Sequence, residues 1–217
     1  MISDADLVDI ITALYDPQPG YFSHIETTAG VTWGLRDQGF DQVIVCRGSV
    51  TLEDWLRDLE SEAARIIPGY PSVGHVPYGF GAGILDAYKA ISSVVFAQNA
   101  SYVVGHSLGA AHAAILAGML VADGRPVKRL LVCGCPRPGM AHLSTLLSET
   151  PISSFRNGPD PVCSVPVPLP PLLEWRHVVP PRRITVAPTD SNWHGLPAES
   201  PLAFHNIQLY RSGVRSL

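Results

Sequence analysis

Two periodicities alternate along the chain. In SDADLVDIITALYD, residues 3–16, apolar side chains fall at 7, 8, 10, 11 and 14 behind a capping Ser3. That is helical spacing, and Pro17 closes it. FDQVIVCRGS, residues 40–49, is a short continuous apolar run, the signature of a strand buried on both faces. TLEDWLRDLESEAAR, residues 51–65, opens with a capping pattern at Thr51 and Asp54 and sets Leu52, Trp55, Leu56, Leu59 and Ala63 on one face, which predicts a helix. After a Gly/Pro/Tyr loop at 68–79 the pattern predicts a helix to about residue 98 and a strand at SYVV. A small-residue helix over LGAAHAAILAGMLVADG, a strand at KRLLVCG, a helix over about 140–148 and a strand at ISSFRN follow. Such alternation predicts an α/β fold: a mostly parallel central sheet with helices on both faces, binding its ligand near the carboxyl ends of the strands.

Residues 159–201 break the rhythm. Eleven of the chain's twenty prolines fall there, interleaved with Val, Leu and Trp. Proline fits neither a helix interior nor a central strand, so this stretch predicts an irregular excursion with one short hairpin near 175–186, packed on the domain where it helps wall a pocket or else lies as a plain surface loop. The 217 residues suit one domain spanning 1–217.

Composition narrows the function classes. With 46% hydrophobic and 16% charged residues the chain is an ordinary globular one. Fifteen basic residues against nineteen acidic ones give a net charge of −4, and the basic residues cluster only in pairs, Lys128-Arg129 and Arg182-Arg183. That is no footprint for nucleic acid. No apolar stretch reaches the length of a membrane helix, and MISDADLVDI carries acids where a secretory signal carries Lys or Arg, so the expected location is the cytoplasm. The four cysteines are expected as reduced thiols, and CGC lacks a second Cys/His pair at zinc-site spacing, so no metal is expected.

The chemistry concentrates at GHSLG. Ser107 lies between Gly105 and Gly109, after a buried strand and at the start of a small-residue helix. Gly-x-Ser-x-Gly is a weak signal alone, but a strand, a tight turn and a helix are the setting of a nucleophile elbow. The glycines fit because such a turn leaves no room for a Cβ on either side, and the helix amides favour developing negative charge. The plainer alternative makes Ser107 a helix cap. A serine hydroxyl needs a base and an orienting acid, expected in the order Ser, acid, His. Of the acids after Ser107, only Asp160 follows directly on a predicted strand. His205 and His194 are the candidate bases, with His205 ahead because it opens a final amphipathic run; His106 and His112 are expected to pack around the nucleophile.

Beyond the pentapeptide, ordered motifs resemble the class 3, fungal-type triacylglycerol lipases of the α/β-hydrolase superfamily. VCRGSVTLEDWLRDL resembles their strand ending in Arg-Gly-Ser or Arg-Gly-Thr, followed by Trp and Asp-Leu; VPYGF resembles Val-His-x-Gly-Phe, with Pro77 in place of His. CGCPRPG, FRNGPDPVCSVP, PPLLEWRHV and FHNIQLY resemble the family's later segments in order. The resemblance implies an α/β-hydrolase fold and a triad of Ser107, Asp160 and His205, with His177 structural. It also implies an oxyanion hole made by the amide of Leu108 and the amide and hydroxyl of Ser49. Trp55 and Leu56 stand where the family's lid lies, and either cover the acyl site or pack as an ordinary helix.

The implied activity is hydrolysis of uncharged acyl esters through an acyl-enzyme on Ser107, with no cofactor. Phe80, Val165, Leu169 and Leu172 are further candidate walls of an acyl pocket. The expected partners are an ester or lipid substrate and transient contact with a lipid surface. An acyltransferase or phospholipase could use the same triad; a catalytically silent binding protein is the alternative from a different class.

Overall fold

Strands buried on both faces need a layer of helices on each side, and both layers are present. The computed structural model describes residues 2–48, 63–96, 101–189 and 197–217. Its strands are β1 (His24–Thr28), β2 (Val31–Gln38), β3 (Asp41–Arg47), β4 (Ala64–Ile66), β5 (His75–Pro77), β6 (Ser101–His106), β7 (Val127–Cys133), β8 (Ile152–Asn157) and β9 (Arg182–Ile184). Seven of them form one sheet in the order β1-β2-β3-β6-β7-β8-β9, with β4 and β5 paired apart. From β3 to β9 the neighbours are parallel; the β1–β2 and β2–β3 pairs are antiparallel.

Side chains alternate between two cores, as the period of a strand demands. Ile44, Cys46, Val103, Leu130 and Val132 face one apolar cluster, while Val43, Val45, Tyr102, Val104, Leu131 and Cys133 face the other. The second cluster is covered by α1 (Asp4–Ala13), capped by the Ser3 hydroxyl on the Asp6 amide, and by α6 (Ile207–Arg215). The first is covered by α2 (Tyr78–Gly81), α3 (Ile84–Val94), α4 (Leu108–Ala122) and α5 (Ala141–Leu146). Every α4 residue from Gly109 to Leu120 is buried. A helix apolar on all sides belongs in the interior, and its Ala and Gly residues let neighbours approach closely.

Several local expectations are corrected. The helix expected over 51–65 ends otherwise: Ala64–Ile66 is a strand paired with His75–Pro77 inside the expected loop, and Ile67 beyond it enters the core. Residues 51–62 lie outside the described residues. The helix expected up to residue 98 is broken at Gly83, which has a φ of +70° and where a Cβ would come within 2.0 Å of the Ala29 carbonyl oxygen, so both the turn and the close approach need glycine. No hairpin forms at 175–186. Instead Arg182–Ile184 adds to β8 as a parallel edge strand, a place that tolerates the preceding Pro180-Pro181, which lack backbone donors. Among the described residues no helix is long and apolar enough to cross a membrane.

His112 lies wholly inside α4, and its Nδ1 has no hydrogen-bond partner among the described residues. Burial lowers its pKa to about 4 from an ordinary 6.5. The unfolded chain therefore binds a proton that the folded chain refuses. The contribution to stability is complete above pH 6.5 and is lost as the pH falls toward 4, amounting to roughly 3 kcal/mol. Thermal melts from pH 7 to pH 4.5 are expected to fall steeply in the native chain and less so in His112→Leu. Equal slopes would contradict a neutral buried imidazole.

Candidate active site

The carboxyl ends of the parallel strands converge on one edge of the sheet, and the candidate residues sit there. β6 ends at His106, and Ser107 follows with φ 62° and ψ −135°, a conformation that non-glycine residues rarely hold. Its amide donates to the Cys133 carbonyl at the end of β7 (3.1 Å), and α4 begins one residue later. The Ser107 side chain makes no capping hydrogen bond, so its hydroxyl does not serve as a helix cap.

The two glycines are fixed by contact. A Cβ on Gly105 would lie 2.3 Å from the Gly109 carbonyl oxygen, and one on Gly109 would lie 2.3 Å from that of Cys46. Strand, turn and helix are pressed backbone to backbone, which holds the strained serine in place.

Asp160 follows β8 and has no exposed surface. Its Oδ2 accepts from His205 Nδ1 at 2.6 Å and from the Tyr210 hydroxyl at 2.5 Å, while Oδ1 accepts from the Val162 amide at 2.9 Å. Burial by itself raises a carboxyl pKa; the charge of His205 and the hydrogen bonds from His205, Tyr210 and Val162 outweigh it and hold Asp160 below the usual range. The carboxylate is therefore ionised at neutral pH. An ionised acceptor fixes the proton of the neutral His205 ring on Nδ1 and leaves the lone pair on Nε2, the form a general base needs. Gly134 closes the arrangement from below, since a Cβ there would meet His205 Cε1 at 2.6 Å.

A second chain of contacts holds the base from behind. His106 Nε2 lies 2.8 Å from the His205 carbonyl oxygen, and its Nδ1 lies 2.6 Å from the Tyr15 hydroxyl. A carbonyl can only accept, so Nε2 carries the proton and Tyr15 donates to Nδ1. Tyr15 in turn accepts from the Gly48 amide at 3.3 Å. The His106 and His205 rings stack with centroids 4.5 Å apart. Burial, and next the charge of His205, push the His106 pKa well below its ordinary value, so this link stays neutral.

The structure brings Ser107, Asp160 and His205 to one sheet edge with Gly105, His106, Leu108 and Gly109 around them. His177 donates from Nε2 to the Cys163 carbonyl at 2.9 Å, bracing the segment after Asp160. Ser49, Trp55, Leu56 and His194 lie outside the described residues. Phe80 has no exposed surface and packs in the core beside Val76 and Ile84. Leu169 and Leu172 are 60% and 83% exposed. Tyr15 and Gly48 were not legible as parts of the site. Tyr15 stands just beyond the end of α1, and nothing in its sequence surroundings points to a histidine 91 positions away. Tyr210 was visible only as the end of the FHNIQLY resemblance.

A strained serine between strand and helix, with a buried acid and histidine on the same edge of a mainly parallel sheet, is the arrangement of the α/β-hydrolases. Residues 43–169 match the family model Lipase (class 3), and the chain belongs to that family. It is 27% identical over 165 residues to secreted mono- and diacylglycerol lipase 1 of Fusarium solani, covering 70% of this chain and 46% of that protein. It is 32% identical over 133 residues to secreted mono- and diacylglycerol lipase A of Penicillium camembertii, covering 58% and 43%. The chain thus spans less than half the length of these curated relatives. Among solved structures, a mutant form of MDLA from Penicillium cyclopium is similar in fold, with a TM-score of 0.65, 21% identity and coverage of 94% of this chain and 96% of that one. The triacylglyceride lipase of Rhizomucor miehei has a TM-score of 0.58 at 23% identity, covering 76% and 65%.

Inside an ordinary helix, Gly→Ala is stabilising by roughly 0.5–1 kcal/mol. At Gly109 the sign is expected to reverse, because the added methyl meets a backbone carbonyl. Denaturant titration of Gly109→Ala is expected to give a loss of about 2 kcal/mol. A gain would mean that the helix does not approach β3 this closely.

Proposed function

We propose that the chain is a serine carboxylic-ester hydrolase, a lipase or esterase acting on uncharged acyl esters. The observation that carries the reading is the buried hydrogen bond between Asp160 and His205 on the sheet edge that presents the strained Ser107. In this reading His205 takes the Ser107 proton through Nε2 as the oxygen attacks the ester carbonyl. Asp160 stabilises the imidazolium that forms, and the proton then passes to the departing alcohol. Water, deprotonated by the same histidine, cleaves the acyl-enzyme.

The amide of Leu108 heads α4, where a helix has no internal partner for it, and so suits one donor of the oxyanion hole. Ser49 is proposed as the other. In support, the backbone just before it presses on the nucleophile: a Cβ on Gly48 would lie 3.1 Å from Ser107 Oγ. Trp55 and Leu56 are proposed as the cover of the acyl site on the family resemblance alone, and no cofactor enters this mechanism. The names of the relatives, mono- and diacylglycerol lipases, support acylglycerols among the substrates.

Residues 1–217 are read as one catalytic unit, since the helices on one face of the sheet come from opposite ends of the chain. The location is read as cytoplasmic, in keeping with Cys46, Cys133, Cys135 and Cys163, all free and buried. The relatives' names, which call them secreted, make export the rival.

The test is hydrolysis of p-nitrophenyl esters from acetate to palmitate by the purified chain and by Ser107→Ala, both shown to be folded. Activity in the native chain and a loss of about 10⁴-fold or more in the variant are expected. A native chain inactive on every ester, or an active Ser107→Ala, would overturn the reading.

A further inference from the structure

The Arg182-Arg183 pair of the sequence lies on the edge strand β9, where folding brings a third arginine beside it. β8 and β9 run parallel with Arg156 opposite Arg183. Residues in register on neighbouring strands project from the same face about 4.8 Å apart, so these two side chains rise from one patch of the sheet. It is the face of Ile152, earlier on β8, which packs against the first apolar cluster.

Two further groups reach this patch from the loops. Arg137 donates to the carbonyls of Ser164 and Pro166, and His177 donates to the Cys163 carbonyl at 2.9 Å. Burial, and next the charge of Arg156, lower the pKa of Arg137; His177 is lowered by burial first and also by Arg137 and Arg156. Both groups hold the segment that begins at Asp160, so the cluster stands directly behind the candidate acid.

No carboxylate answers these charges. Elsewhere arginines are paired, Arg129 with Asp4 and Arg211 with Asp9, each at 2.8 Å. Among the described residues no acid lies at ion-pair distance from Arg137, Arg156 or Arg183. Arg156 Nε is moreover buried there with no hydrogen-bond partner. A buried donor left unpaired and like charges at close range are both costly, and an anion relieves the two together.

We infer that Arg156 and Arg183 bind a tetrahedral oxyanion of the phosphate class, with Arg137 as the third positive charge around it. A guanidinium fork matches phosphate oxygens in pairs, and forks arriving from two strands and a loop suit a tetrahedral ligand better than a planar carboxylate. The bound anion offsets the repulsion between Arg156 and Arg137, and Arg137 in turn holds the Ser164 and Pro166 carbonyls. It therefore ties the edge strand to the loop of the candidate acid. The site draws nothing from the ester-hydrolase reading.

The experiment is isothermal titration calorimetry of the intact chain with inorganic phosphate at pH 7, the ionic strength held at about 0.15 M with NaCl. Arg156→Gln and Arg183→Gln are titrated beside it, each with a melting curve. The expected result is one site per chain with a Kd of about 1 mM or below, weakened about tenfold or more in each variant. The melting temperature is expected to rise with phosphate in the native chain and to stay still in the variants. Glycerophosphocholine, titrated in the same way, separates the sources. Tighter binding of this diester assigns the site to a lipid headgroup, tighter binding of inorganic phosphate assigns it to the free ion, and either supports the site. A native chain that binds neither, or a folded variant that binds as well as the native chain, would overturn it. If Arg156→Gln does not fold, Arg183→Gln, at an exposed edge position, carries the test alone. Ester turnover is not the readout: a chain that binds phosphate yet cleaves no ester would sink the hydrolase reading and leave this site standing, and an active chain without phosphate binding would do the reverse.

Discussion

A carboxylate with no exposed surface must be held by donors, and the site is organised around the one at Asp160. Its nitrogen and oxygen donors among the described residues come from separate places: the His205 ring at the end of one 3-10 segment, the Tyr210 hydroxyl in α6, and the Val162 amide just downstream. Removing any one leaves part of a buried charge unpaired, which is far costlier than losing a surface hydrogen bond. The arrangement therefore ties the loop after β8 to the chain's last helix and sets the tautomer of the histidine between them.

A second constraint runs from the N-terminal side. Gly48 donates to Tyr15, Tyr15 donates to His106, and His106 donates to the carbonyl of His205. Each direction is forced by the one carbonyl at the end of the chain of bonds, which can only accept. The residue before the candidate nucleophile thus fixes the backbone of the candidate base, and the segment just after α1 reaches the site through Tyr15. His106 stays neutral in the interior, so this coupling consists of hydrogen bonds and stacking rather than charge.

Much of this was legible in the sequence, and the limits have physical causes. Continuous apolar runs such as DQVIVC and the small-residue helix behind GHSLG gave the α/β alternation because burial on both faces leaves no polar positions. Gly105 and Gly109 were readable because only a missing Cβ permits the observed approach. The β1–β2 hairpin, the strand at Ala64–Ile66 and the edge strand at Arg182–Ile184 went unpredicted. The two three-residue strands carry no detectable period, whereas the β1–β2 hairpin is local, and its first strand lacks a buried, alternating face because its residues are mostly exposed. Tyr15 and Gly48 escaped because a hydrogen bond to a residue 91 positions away leaves no local trace. Hydrophobicity alone does not say which way Leu169 and Leu172 face; in the folded chain they are 60% and 83% exposed.

The central claim is that the Asp160–His205 pair activates Ser107 and no other residue. The most direct measurement is labelling of the intact chain by a fluorophosphonate, with the adduct located by peptide mass spectrometry and its rate compared with that of folded Asp160→Asn. The predicted result is one adduct per chain, on Ser107, formed about 10³-fold or more slowly when the asparagine replaces the acid. An adduct on a different residue, or equal rates for the two proteins, would contradict a serine activated through that buried pair.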